Sequence, residues 1–211
     1  INVAVSRHQA ITLERERIIA DLHDDVGGGL SSIRMMSDLM AQEQREPTTN
    51  KTVNFSQKIS STAKEIALRM NTIIWSLNTE NDTLQKFSEY VRHFGISFLE
   101  DSPIKFKFTL SGKLPLSKEL TGVQRKNLFL IIKEALHNSL KHSGAGEALV
   151  NFQMHNDQLL IEIADNGTGI LNPNSFGNGI KNMKKRVEEI NATIHFSSDK
   201  GTRIQISFPL T

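Results

Sequence analysis

A seven-residue apolar repeat near the start of this chain restricts its fold more than any other feature. Over about Ala10 to Gln44, a stretch without proline, Ile19, Val26, Ile33 and Met40 fall on one line, with Leu22, Gly29 and Met36 on the line three positions on. That is an a/d seam, which predicts a helix packed lengthwise on partner helices. Pro47-Thr48-Thr49-Asn50 breaks the pattern. A second helix is expected from about Lys51 to Ser76, with Ile59, Ile66 and Ile73 interleaved with Ala63, Met70 and Leu77. One helical hairpin cannot bury such a seam, whereas two copies forming a four-helix bundle can, so the expectation is a homodimer.

Inside the first helix lies Asp21-Leu22-His23-Asp24-Asp25-Val26-Gly27-Gly28-Gly29. Each interior glycine costs a helix about 1 kcal/mol relative to alanine, so the triplet weakens it unless packing or function compensates. With Ile19 at position a, His23 takes position e, beside the seam and accessible at the flank of the bundle. A histidine on a solvated face is the ordinary explanation. The adjoining Asp24 and the glycines one turn on argue for chemistry.

Composition narrows the classes. With 38% hydrophobic and 23% charged residues the chain is neither disordered nor membrane-spanning. Its longest apolar run, Leu128 to Ile132, is far short of the roughly 18 residues a spanning helix needs. A net charge of +2 is too small for nucleic acid to be the main partner. The absence of cysteine excludes disulfides and thiolate metal sites and fits a reducing cytoplasmic setting. The chain opens at Ile1 without a leader pattern and reads as a segment of something longer, so any membrane connection lies outside it.

After a third amphipathic helix, roughly Leu84 to Leu99, Ser102-Pro103 marks a change of texture, and the domain boundary is expected there, giving 1–101 and 102–211. Ile104 to Leu110 alternates with period two, as a half-buried strand does. Thr121-Gly122-Val123-Gln124 is a capping-box start for a helix to about His142. Leu128, Ile132, Ala135 and Ser139 form its core face, and Glu134, Asn138 and Lys141 or His142 a polar stripe. An amide and a carboxylate one turn apart suit a hydrated Mg²⁺. Strands near Ala148–Met154 and Leu159–Ala164 lead into Asp165-Asn166-Gly167-Thr168-Gly169. A strand-end carboxylate can accept from an exocyclic amine, and glycines let a flat ring approach the backbone. Gly177-Asn178-Gly179 opens a helix to about Ile190, and a helix N-terminus suits phosphate. Strands at Thr193–Ser197 and Arg203–Phe208 flank Lys200-Gly201-Thr202 and close the chain.

Taken in order, Asn138, D-N-G-T-G at 165–169, G-N-G at 177–179 and Gly201-Thr202 resemble the N, G1 and G2 boxes of the Bergerat, or GHKL, ATP-binding fold. Glu14-Arg15-Glu16-Arg17-Ile18, followed by Leu22-His23-Asp24, resembles the phosphoacceptor helix of sensor histidine kinases whose partner receivers carry helix-turn-helix output domains. The resemblance implies a dimeric four-helix-bundle hairpin followed by a two-layer α/β sandwich. It implies His23 as the phosphorylated residue and Asp24 as the carboxylate that orients and deprotonates it. Asn138 would ligate Mg²⁺ with Glu134 in support, and Asp165 would meet the adenine amine in a pocket shaped by Gly167 and Gly169. Gly177 and Gly179 would lie by the phosphates of ATP under a lid of about 171–178, near Lys141 and His142, and Thr202 would close the adenine site. The implied partners are a second copy and a response-regulator receiver domain.

One position departs from the family pattern. Where H-D-x-x-x-Q is common, this chain has Gly28, so a kinase poor in phosphatase activity is expected. Two other readings stay open: an ATPase of the same fold using Glu134 to activate water, and a nucleotide-binding dimeric scaffold that transfers no phosphate.

Overall fold

The structure is a computed structural model that describes residues 26–41, 49–155, 157–169 and 178–210. His23, Asp24, Gly177, the loop at Pro47 and nearly all of the expected lid lie outside the described residues. The chain divides between Thr79 and Glu80 into two compact units.

The first unit is helical. Helix α1 covers residues 26–41, and Val26, Gly29, Ile33, Met36 and Met40, the seam positions, are all half-buried in it. Helix α2, Thr49–Leu77, buries Ile66 and Ile73. Gly29 meets α2 closely: a Cβ there would stand 2.5 Å from Ile66 Cδ1. One glycine of the triplet is therefore a packing contact, letting the two helices approach. Gly27 and Gly28 have nothing within 4 Å of an added Cβ. The line of Ala63 and Met70 stays exposed, as do Leu30, Met35 and Ile74.

The second unit begins with helix α3, Leu84–Leu99, capped by Thr83, whose side chain accepts from the Lys86 amide. It continues with β1 (Lys105–Ser111), α4 (Gly122–Asn138), β2 (Glu147–His155), β3 (Gln158–Asp165), α5 (Asn178–Glu188), β4 (Thr193–Asp199) and β5 (Gly201–Pro209). The strands form one sheet in the order β1-β2-β3-β5-β4, with β1 and β2 parallel and the other pairs antiparallel. A parallel pair needs a crossover, and α4 lies within it. Strict alternation turns Ala148, Val150 and Phe152, then Leu159, Ile161 and Ile163, then Ile204, Ile206 and Phe208 toward the helical layer. The opposite face is polar: Asn151 Oδ1 accepts from Thr109 and Ser111 at 2.7 and 2.8 Å, and Glu162 pairs with Arg203 and Gln205.

The boundary expected at 101/102 is displaced by some twenty residues, because α3 packs with the sheet. Leu84, Phe87, Val91 and Leu99 are buried, and Phe87 and Phe152 approach at 5.8 Å between ring centroids. Gly95 occupies mid-helix where any Cβ would collide with the Phe106 ring of β1. The entry to α3 is pinned to the loop before α4 by Leu84 N–H to Lys118 O at 2.8 Å, Gln85 N–H to Leu116 O at 2.9 Å and Leu120 N–H to Asp82 O at 2.6 Å. Arg125, buried in α4, pairs with Asp82 and donates to Leu120 O at 2.5 Å. The Thr121–Gln124 capping box that starts α4 is present in both directions. Among the described residues no helix is long and apolar enough to cross a membrane.

Candidate functional site: a cleft at the end of the sheet

The site is built where α4 loses its regular winding. After Asn138 the chain widens into a π-helical turn, Ser139–Ser143, closed by Gly144 at φ 61°. Asn138, just before the turn, and Ser139, His142 and Ser143 within it all line one cleft. Ser143 Oγ donates to Ser139 O at 2.6 Å and accepts from the Ala145 amide at 3.0 Å, fixing the turn from within.

Opposite this turn, β3 ends in Asp165. The Asp165 carboxylate is buried and fully oriented: Oδ1 accepts from the Gly167 amide at 3.0 Å and the Thr202 amide at 3.2 Å, and Oδ2 accepts from Ser139 Oγ at 2.8 Å. The cleft is partly open to solvent, with Ile163, Ile180, Met183, Phe196 and Ile204 as its apolar walls. Apolar walls with a few convergent polar groups are the ordinary chemistry of small-ligand pockets. A planar heterocycle can stack between the walls with one edge on Asp165.

The glycines have separate structural reasons. A Cβ on Gly167 would strike the Ser143 carbonyl, and Thr168 N–H donates to that same carbonyl at 2.9 Å. Gly169, at φ 75°, would strike Ser198 Oγ, and Gly201, at φ 106°, the Asp165 carbonyl. The D-x-G-x-G turn is thus wedged between the π-helical turn and the β4–β5 hairpin, which holds Asp165 at the cleft edge. Gly179 is in the first turn of α5, where a Cβ would collide with Glu134 Oε1. The Glu134 carboxylate consequently rests against the positive end of α5, where negative charge is favoured.

Of the expected site residues, the structure brings Asn138, His142, Asp165, Gly169 and Thr202 to the cleft, with Gly167 behind it and Glu134 and Gly179 together at the α5 N-terminus. Lys141 is exposed and does not line the cleft. Two contributors were not legible in the sequence. α-Helical periodicity places Ser139 in the core; it is buried, but against Asp165. Asn166 accepts from the Gly146 and Glu147 amides, both at 2.9 Å, and so ties the turn to the start of β2.

Residues 123–211 match the family model of histidine kinase-, DNA gyrase B-, and HSP90-like ATPases, which defines the class of the second unit. Residues 14–82, which include His23 and Asp24, match a histidine kinase family model. With both models in order along one chain, the protein belongs to the histidine kinases, as the catalytic core of a sensor kinase. The sensor protein VraS of Staphylococcus epidermidis is 30% identical over 202 residues, covering 93% of this chain and 56% of the relative. Its Staphylococcus aureus counterpart is 29% identical over the same length. The chain thus spans little more than half the length of these curated relatives. Among solved structures, the Acinetobacter baumannii histidine kinase AdeS aligns with a TM-score of 0.57 at 12% identity, covering 90% of this chain and 98% of that one. The histidine kinase domain of the Erythrobacter litoralis blue-light activated kinase aligns at 0.54 and 18%, covering 84% and 96%. Both show the shared fold.

Proposed function

We propose that this chain autophosphorylates His23 from ATP and passes the phosphoryl group to an aspartate of a response-regulator receiver domain. The observation that carries the reading is the buried Asp165 carboxylate, held by three donors at the rim of an apolar cleft that adjoins the α5 N-terminus. Such a carboxylate accepts from the exocyclic amine of adenine, and a helix N-terminus in reach offers amides to phosphate. A neutral imidazole is a competent nucleophile near neutral pH. Asp24, adjacent to it in sequence, is assigned to hold one ring N–H, so that the other nitrogen attacks the γ-phosphoryl group.

The described donors fit Mg²⁺ as kinases use it. The amide of Asn138 and the carboxylate of Glu134, one helical turn apart, suit an ion held mainly by water and phosphate oxygens, and among the described residues no cluster of three His, Cys, Asp or Glu forms a closed cage. When bound, the ion neutralises phosphate charge. The exposed apolar positions Leu30, Met35, Met70 and Ile74 support a homodimer in which a second hairpin covers them. The reaction belongs on the cytoplasmic side, where ATP is available.

Incubation with γ-labelled ATP and Mg²⁺ tests the reading. Acid-labile, base-stable label on wild type, lost in His23→Gln and reduced below detection in Asn138→Asp and Asp165→Ala, is the expected result. Release of phosphate without labelled protein would replace the reading with an ATPase that uses Glu134 to activate water. Absence of both would leave a nucleotide-binding scaffold.

A further inference from the structure

We infer that Ser139 sets the base selectivity of the cleft by fixing the Asp165 carboxylate so that it offers one open acceptor position to a purine amine. The inference rests on the reading of the cleft as an adenine site.

Ser139 has a single hydroxyl hydrogen and two acceptors in reach, Asp165 Oδ2 at 2.8 Å and Ala135 O at 3.2 Å. The charged, nearer acceptor takes it, because hydrogen bonds to an ionised oxygen are the stronger. An ionised carboxylate has roughly four acceptor positions. The Gly167 and Thr202 amides take both positions on Oδ1, and Ser139 takes one on Oδ2. One position on Oδ2 is left for a ligand, and Asp165 lines the cleft. The set of donors also limits rotation of the carboxylate: the two amides are backbone groups held by the D-x-G-x-G turn and by β5, and Ser139 supplies the restraint on the opposite oxygen. Both side chains are buried, so water does not readily replace the hydroxyl if it is removed. A ring bearing an amine at this edge donates to the open position. A ring bearing a carbonyl there sets its oxygen against the carboxylate, and a ring bearing hydrogen gains nothing. Ser139 is thus a positioning residue, acting on the nucleotide through Asp165.

The test compares equilibrium binding, to the whole chain, of ATP and of purine riboside triphosphate, which lacks the exocyclic amine. In Ser139→Ala we expect ATP to bind about tenfold more weakly while the amine-free analogue changes less than twofold, the size of effect a buried hydrogen bond to a charged group supports. In an Asp165→Ala background, Ser139→Ala should change ATP binding no further, since the pair acts as one unit. Equal weakening of both nucleotides, or unchanged ATP binding, overturns the proposal by reducing Ser139 to a packing residue. Should alanine unfold the turn, as a thermal scan would reveal, Ser139→Cys, near in size with only a weak donor, carries the same comparison. A wild-type chain that binds both nucleotides equally well, or neither, sinks the adenine reading itself, and the role of Ser139 with it.

Discussion

At the scale of single residues, the glycines of the nucleotide-binding region differ in what a side chain would strike, and that separates their roles. At Gly179 the obstacle is the end of the Glu134 side chain, which can move. At Gly201 it is the backbone carbonyl of Asp165, at a φ of 106° that L-residues rarely adopt. Gly179→Ala should therefore leave stability within about 0.5 kcal/mol, as for substitutions without a buried conflict, while displacing the Glu134 carboxylate and lowering the labelling rate. Gly201→Ala should cost about 1–3 kcal/mol or more in chemical denaturation and weaken ATP binding as a consequence. Gly28 is a different case, exposed on α1 with nothing near an added Cβ. Gly28→Gln should be accommodated, strengthen the helix by up to about 1 kcal/mol, and speed dephosphorylation of a purified phospho-receiver. An unchanged dephosphorylation rate would remove Gly28 as a reason to expect weak phosphatase activity.

At the scale of elements, α3 decides what can stand alone. Its amphipathic pattern was legible, and its limits at Leu84 and Leu99 match the periodicity, yet its allegiance was not. The Ser102-Pro103 turn signals a break in the chain, whereas domain membership is set by long-range contacts that local pattern does not contain: Gly95 against Phe106, and Asp82 with Arg125. A fragment of residues 80–211 keeps these contacts and should fold cooperatively and bind ATP. A fragment of 102–211 loses Leu84, Phe87, Val91 and Leu99 from the core. Burying four such side chains contributes on the order of 6–12 kcal/mol, comparable with the whole stability of a domain, so the shorter fragment should show no cooperative unfolding transition. Equal stability of the two fragments would return the boundary to residue 101. The π-helical turn was illegible for a related reason. Nothing in Asn138 to Ser143 distinguishes a wide turn from a continuing α-helix; the serine hydroxyls and the left-handed Gly144 that define it act through contacts made only after folding.

At the scale of the whole molecule, the strongest sequence signals were the periodic ones. The Ile59, Ile66 and Ile73 line of the first unit and the alternation of β1 were legible because burial on one face dictates them residue by residue. Strand order was not, since pairing partners lie far apart along the chain. The order β1-β2-β3-β5-β4 places β5, made last, between β3 and β4. Thr202 and Ile204 of that strand line the cleft, and the Thr202 amide is one of the donors that hold Asp165. During synthesis the helical hairpin is complete when most of the sheet has yet to be made, so it can begin to assemble while translation continues. The nucleotide cleft cannot: until Gly201 through Pro209 have left the ribosome, β3 and β4 have no shared neighbour and Asp165 lacks one of its amides. The order of strands thus acts as a timer, and a nascent chain has made His23, the proposed phosphoacceptor, well before its nucleotide cleft can form.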